Sequence, residues 1–272
     1  MKTHGLTKTE LAKKLGVSRS SLYYKHKMPA RDEEIKKQIE SVLADHFDYG
    51  HKRIAIELKL NKKRILRVMK KYGIKPSRRR VKRFKKVKDI NQPATNIPNI
   101  FKTLSPIKPD VIWASDFTYI KYKQKFIYLA TLIDVVTKEI VGYNISRYHN
   151  KELVLGALEN SLSKFNSPEY IHSDQGSEYR SQEYQQLAKK VGIKLSMSDK
   201  GSPWQNGYQE SFYGKFKVLL GRVNRFESLG ELIAEIHQQM YYYNNKRIQS
   251  TIKTQPNKYR QIINKQNERL AV

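Results

Sequence analysis

From residue 111 onward the pattern becomes one of alternating strands and helices, and short, largely apolar runs predict three strands joined by short turns: Val111 to Ile120, Phe126 to Asp134 and Glu139 to Ser146. The period then lengthens. Leu153, Leu155, Ala157, Leu158 and Leu162 predict a helix, Tyr170-Ile171-His172-Ser173 a short strand, Tyr184 to Val191 a second helix, and Ile193-Lys194-Leu195-Ser196 a fifth strand. A further helix is signalled by Ser202 as cap, Pro203 at the first helical position and Gln205 completing a capping box. Its apolar stripe is Phe212, Phe216, Leu219 and Val223, which leaves Glu210 and Lys217, seven positions apart, together on the other side.

The first third follows a helical period. Thr7-Lys8-Thr9-Glu10 predicts a capping box ahead of a helix with Leu11, Ala12 and Leu15 inward; Gly16 turns the chain, and Ser18 caps a second helix carrying Ser21, Leu22 and Tyr23. Residues 1–29 therefore read as a helix-turn-helix that could present Arg19, Ser20 and Tyr24 to a major groove, although short paired helices also simply pack together. Residues 30–75 form a second helical module. Ile54, Ala55 and Leu58 make one apolar face, Asn61 caps, and Ile65, Leu66 and Met69 make another, with Lys62, Lys63, Arg64, Arg67, Lys70 and Lys71 outside. Residues 76–109 change character, from a basic run containing Arg78, Arg79 and Arg80 to a stretch punctuated by Pro93, Pro98, Pro106 and Pro109. They read as a linker that could order along DNA or serve as a plain spacer. Residues 110–225 would form the α/β domain and residues 226–272 a helical basic tail.

Charge adds a partner. The 272 residues carry 53 Lys+Arg against 25 Asp+Glu, a formal charge of +28. Residues 1–90 hold 28 basic and 9 acidic side chains, and residues 91–272 hold 25 and 16, so the excess is concentrated in the helical part. Counterion release makes such a chain a strong, salt-dependent binder of nucleic acid, here expected to be double-stranded DNA. Cysteine is absent and none of the seven histidines forms an H-x-x-x-H pair, which argues against zinc chemistry. The longest apolar stretch, Phe126 to Ile133, is too short to cross a bilayer and the amino terminus has no apolar signal region, so a soluble, cytoplasmic protein without a membrane partner is expected.

Candidate chemistry lies in three acids. Asp116 sits inside an apolar run, where an unpartnered carboxylate would cost several kcal/mol or more, about what a bound cation would offset. Asp174 ends the fourth predicted strand, and Glu210 follows it with thirty-five residues between. Each acid has an ordinary alternative: Asp174 as a turn former, Glu210 as a solvated side chain. Together they suggest a clamp for Mg2+, which prefers a few carboxylates and completes its shell with water and phosphate. Asp134 reads as a turn former, His172 as a side chain that packs or bonds beside the site, and Asp199 as a loop acid. Three antiparallel strands followed by αβαβα is the element order of a ribonuclease-H-like core. The expected fold class is thus α/β, a mixed five-stranded sheet with flanking helices, preceded by all-α DNA-binding regions.

The segments Trp113-x-x-Asp116-Phe117-Thr118-Tyr119, His172-Ser173-Asp174-Gln175-Gly176-Ser177-Glu178-Tyr179 and Lys200-Gly201-Ser202-Pro203 leading into Asn206-Gly207-x-x-Glu210-Ser211-Phe212 resemble the OrfB-type DDE transposases of the IS-three group of insertion sequences. The catalytic core of that group is similar to retroviral integrases. Tyr49-Gly50-His51-Lys52-Arg53-Ile54 resembles the group's amino-terminal DNA-binding module, and Tyr243-Asn244-x-x-Arg247 with Pro256 its carboxy-terminal region. Two departures are visible: Gln205 stands where the family often has Asp, and Gln249 where it often has His. The resemblance implies cleavage at element ends to free a 3′-hydroxyl and attack of that hydroxyl on a second phosphodiester. Two Mg2+ ions, replaceable by Mn2+, would be held by Asp116, Asp174 and Glu210, with Asp116 bridging. It also implies DNA contacts from Lys215, Lys217 and the basic helices, Arg53 among them, and a homo-oligomer of at least two chains on paired ends. Two other readings stay open: a DNA-binding regulator that does not cut, and a ribonuclease-H-like structural nuclease that cuts by DNA shape and never joins.

Overall fold

Thr7 opens the first helix through reciprocal bonds: its Oγ1 accepts from the Glu10 amide at 3.3 Å, and Glu10 Oε2 accepts from the Thr7 amide at 2.8 Å. Helix α1 runs Lys8–Leu15 and ends at Gly16, whose φ of 63° places it in the left-handed region. The computed structural model describes residues 7–23, 28–77 and 95–270. The chain divides into two compact units, Met1–Pro76 and Ser77–Val272.

Within the first unit, the expected second helix after Gly16 is only a 3₁₀ segment, Arg19–Tyr23. Ser18 Oγ accepts from the Ser21 amide and also bonds the hydroxyls of Ser20 and Ser21, a local network that competes with helical propagation. Of the three residues expected inward on α1, Ala12 is buried, while Leu11 and Leu15 are exposed. Helix α2, Met28–Asp45, escaped the sequence reading because charged residues dominate its start. It buries Ile35, Ile39 and Val42 at the spacing of one helical face. Helices α3, His51–Glu57, and α4, Lys62–Lys71, follow with Asn61 capping α4, its Oδ1 accepting from the Lys63 amide at 2.8 Å. Ile54, Ala55, Ile65 and Met69 are buried as the pattern predicts. Val68 is buried too, and Leu66 only half so.

The second unit is built on β1, Ile112–Tyr122, the central strand of a five-stranded sheet ordered β3-β2-β1-β4-β5. β2, Lys125–Asp134, and β3, Ile140–Ser146, run antiparallel to their neighbours; β4, Tyr170–Ser173, and β5, Lys194–Met197, run parallel. Helices α5, Lys151–Leu162, and α6, Gln182–Lys190, share one core with Trp113, Leu132, Val141 and Ile171. A Cβ on Gly142 of β3 would stand 2.6 Å from the Ala157 carbonyl oxygen, so glycine there is what lets α5 lie close on the sheet. On the opposite face α7, Gly207–Leu220, and α8, Leu229–Asn245, bury Phe212, Phe216, Leu232, Ile236, Met240 and Tyr243 against Ile120, Leu129 and Ile133.

Two stretches differ from expectation. Residues 95–109, assigned to a linker, lie on the sheet domain: the Met197 amide donates to the Pro98 carbonyl at 3.1 Å, the Ile100 amide donates to Ser196 Oγ at 2.9 Å, and Phe101 and Leu104 pack beside Ile112 and Ala114. The apolar residues between the prolines find a surface to cover. Residues 226–272, expected as a helical basic tail, are helical but supply α8 as a layer of the core, because Leu232, Ile236, Met240 and Tyr243 form a stripe at helical spacing. Helix α9, Pro256–Leu270, is tied to the sheet domain by Arg260, which bonds Asp110 at 2.6 Å and also Glu139. Among the described residues no helix is long and apolar enough to cross a membrane.

Candidate active site

The parallel register of β1 and β4 pairs Ile112 with Tyr170 and Ala114 with His172. Carried two residues further, it sets Asp116, in the middle of β1, level with Asp174, which follows the carboxyl end of β4, the kind of strand end where ligands of open α/β sheets sit. Alternation along β1 turns Asp116 to the face that α7 covers, and it is 7 % exposed. One of its carboxylate oxygens accepts from the Phe117 amide at 2.9 Å. Asp174 caps the turn that follows β4, its Oδ1 accepting from the Gly176 amide at 3.1 Å.

Helix α7 is fixed over this strand by polar side chains. Gln209 Nε2 donates to the carbonyl oxygens of Ala114 at 2.6 Å and Thr131 at 2.9 Å; Asn206 Nδ2 donates to Ser115 O at 3.1 Å; Tyr213 OH donates to Asp116 O at 2.6 Å. Glu210 follows Gln209 directly and stands exposed. Asp116 and Asp174 both act on the buried hydroxyls of Tyr179 and Tyr213, which burial first and the two carboxylates next hold well above the usual phenol range. Among the described residues, no three His, Asp or Glu side chains are gathered closely enough to hold one metal ion. The fold thus brings Asp116 and Asp174 together and leaves Glu210 at the rim. The donors on hand are carboxylate oxygens, with no thiolate in the chain, a set whose chemistry fits Mg2+.

A fourth acid went unremarked in the sequence. Glu178 is buried, and its Oε2, like Asp174 Oδ1, comes within 3.0 Å of where a Cβ on Gly176 would stand, so glycine leaves the space between the two carboxylates open. Glu178 also pairs with His149 Nε2 at 2.8 Å. Its position four residues after Asp174 was the available signal. Gln209, which from the sequence reads as a residue that positions the DNA strand, is instead buried against the sheet backbone, and Tyr213 was missed; polar residues four apart on an otherwise apolar helix face marked the pair.

The neighbouring assignments are mixed. His172 is buried, with its ring edge-on to Phe101 and Nδ1 2.9 Å from Ser196 Oγ, and burial lowers its pKa to about 4 against the pull of Asp174. Asp134 is a turn former: Oδ1 accepts from the amides of Val136 and Thr137, and Oδ2 from that of Asp110. The capping box expected at Ser202 does not form. Residues Pro203–Asn206 make a 3₁₀ turn without a side-chain cap, and Gln205 instead grips Asp199 through its backbone amide and carboxylate. α7 stops at Leu220, so Val223 lies beyond it in a separate turn. Lys217 Nζ rests 5.1 Å from the Tyr119 ring centroid, whereas Lys215 Nζ bonds Ser211 Oγ at 3.0 Å.

In the helical unit, Arg19, Ser20 and Arg64 are exposed, and Arg53 lies 5.6 Å from the Tyr49 ring centroid. Arg67 is engaged within the unit: its guanidinium makes a two-point contact with Asp32, shared with Lys71 at 2.9 Å. Those two cations hold the Asp32 carboxyl well below the usual carboxylate range. Tyr24, Arg78, Arg79 and Arg80 lie outside the described residues.

Comparison with known proteins gives the same outline. Residues 106–203 and 191–256 each match a family model described as an integrase core domain. The putative transposase InsK for insertion sequence element IS150 of Escherichia coli is 29 % identical over 256 residues, covering 90 % of this chain and 89 % of that protein. The transposase for insertion sequence element IS904 of Lactococcus lactis is 34 % identical over 241 residues, 83 % of this chain and 94 % of its own length. Among solved structures, the simian T-cell lymphotropic virus intasome in complex with the PP2A regulatory subunit B56 gamma aligns with a TM-score of 0.52 at 16 % identity, over 80 % of this chain and 73 % of that one, a likeness of fold.

Proposed function

Because the chain belongs to the insertion-sequence transposases of the IS-three group, we propose that it cuts DNA at the ends of its element and joins the freed 3′-hydroxyls to a second DNA, with Asp116, Asp174 and Glu210 as catalytic carboxylates. The observation that carries this reading is the β1–β4 register, which sets Asp116, within β1, level with Asp174, just past the end of β4, beneath a helix bearing the third acid. A pair of Mg2+ ions, or Mn2+ in their place, would supply Lewis-acid activation of the attacking oxygen and neutralise the leaving one.

The chain's own residues do the rest. Asp116 and Asp174 present oxygens to the metals from a rigid sheet; Asn206, Gln209 and Tyr213 hold α7 in register above them, so that the reach of Glu210 is set by its own rotamer and the first turn of the helix. Lys217, two turns along from Glu210, is placed to meet a phosphate of the bound strand. The exposed basic residues of the amino-terminal helices, Arg19 and Arg64 among them, would hold the duplex of the element end. Since two ends must be cut in concert, at least two copies of the chain would assemble on them.

The test is to incubate the chain with labelled element-end duplex and Mg2+, with and without pre-cleaved ends. Nicked and joined products are expected. Binding without any cut would replace this reading with a DNA-binding regulator, and cutting without joining would replace it with a structural nuclease.

A further inference from the structure

Helix α7 has a second working side. Asn206, Gln209 and Tyr213 bond the sheet, while Tyr208, Ser211 and Lys215, about half a turn round the helix, line a groove of about 570 Å³. Its other walls come from the residues before β1, the turn between β2 and β3, and the loop after α8.

The lining combines two chemistries. Trp204, at the mouth, is 70 % exposed, the opposite of Trp113 in the core. Tyr208 lies beside Phe101, ring centroids 5.8 Å apart, and carries Lys138 Nζ 4.1 Å from its own centroid. Lys215 adds further positive charge to the wall, while the Lys102 ammonium is answered by Asp199 at 2.8 Å. Beneath them sit two polar atoms that the fold leaves without a hydrogen-bond partner: the donor Gln249 Nε2, on a side chain 4 % exposed, and the acceptor Asn99 Oδ1. A large exposed indole, lysines and an unanswered donor and acceptor together match a flat heterocycle with hydrogen-bonding edges and an attached anion.

We propose that this groove binds an unpaired DNA base and its flanking phosphate, with Trp204 stacking on the base and Lys138 and Lys215 facing the phosphate. The site deepens the transposase reading, on which its choice of DNA rests, and is separate from the carboxylates. Every base offers a π-face, so stacking alone tolerates sequence; Gln249 and Asn99 would add a preference among base edges. Burial lowers the Lys138 pKa to about 8, which leaves it largely an ammonium near neutral pH, and a phosphate beside it would raise that pKa again.

Tryptophan fluorescence provides the readout, because the chain has two tryptophans and Trp113 is fully buried. Titrating the full chain with a short unpaired oligodeoxynucleotide should quench the emission, and a blunt duplex of the same sequence should do so far less. The Trp204→Phe chain should lose the quench. The Trp204→Ala chain should bind the unpaired strand about tenfold more weakly, as expected for one lost stacking contact. Lys215→Gln should reduce the slope of log affinity against log salt by about 0.7. Equal quenching by duplex, an undiminished quench in Trp204→Phe, or unchanged affinity and slope in the alanine and glutamine variants, each overturns the proposal. A cutting and joining assay on the same parent preparation separates the two readings. Quench with no cutting by the parent chain leaves the groove standing and removes the transposase; cutting and joining with no quench does the reverse.

Discussion

The hydroxyl of Tyr213 donates to the main-chain carbonyl of Asp116, 2.6 Å away, and accepts from Thr131 Oγ1 at 2.9 Å, so the helix that carries Glu210 is bonded to the backbone of Asp116, its proposed partner in catalysis. Tyr213→Phe keeps the ring and deletes that link. A loss of about 1 kcal/mol in unfolding free energy is expected from the missing bond to the Asp116 carbonyl, since Thr131 Oγ1 keeps Gln209 Oε1 as a partner at 2.9 Å, with a larger fractional fall in strand cleavage than in duplex binding. Denaturant unfolding beside a gel cleavage assay checks it; an unaltered unfolding midpoint would show the bond to be unimportant.

Asp174→Asn removes one charge from the proposed metal site while keeping the side chain's size and the acceptor for the Gly176 amide. Cleavage should fall to background and binding of element-end duplex should persist. Gel-shift and nicking assays on one preparation decide it, and nicking in Mg2+ at the parental rate would exclude Asp174 from catalysis.

Arg260 answers Glu139 and Asp110 from α9, and both arginine and glutamate are buried. Arg260→Ala leaves the glutamate without its cation and should cost about 3–5 kcal/mol. Burial already raises the Glu139 pKa, against the pull of Arg260. The carboxyl should therefore take up a proton readily once the arginine is gone, making the destabilisation smaller at pH 5 than at pH 8. Pairing Arg260→Met with Glu139→Leu should recover most of the loss. Equal destabilisation at both pH values would contradict the assignment.

His172 is buried in its neutral form, with a pKa lowered to about 4 from 6.5. A histidine depressed in this way binds its proton more readily in the unfolded chain. Its contribution is complete above pH 6.5 and is lost as pH falls toward 4, amounting to about 3 kcal/mol. Subtracting the pH profile of His172→Asn from that of the parent isolates the effect, and a flat difference across that window would refute it.

The sheet was legible because its strands are short, largely apolar runs: Val111 to Ile120 is one, and β1 occupies Ile112–Tyr122, with its first five residues buried. The three acids were legible by residue type and spacing, but their distances were not, because the position of Glu210 depends on where α7 begins. Ser202, Pro203 and Gln205 carry a capping signal that the structure spends otherwise, Gln205 being drawn to Asp199 by the loop that joins them. α2 was missed because an acidic and basic start hid a buried face that only Ile35, Ile39 and Val42 define. The anchoring of residues 95–109 and of α8 was invisible locally, since each becomes structured by covering a surface made elsewhere in the chain.

With α8 forming a wall of the core, the order of synthesis matters. When Asp116, Asp174 and Glu210 have all left the ribosome, the greasy underside of the sheet, Ile120, Leu129 and Ile133, still awaits Leu232 and Ile236. A polypeptide interrupted before residue 229 would lack the helix that covers those residues and would leave that adhesive face open to aggregation or proteolysis.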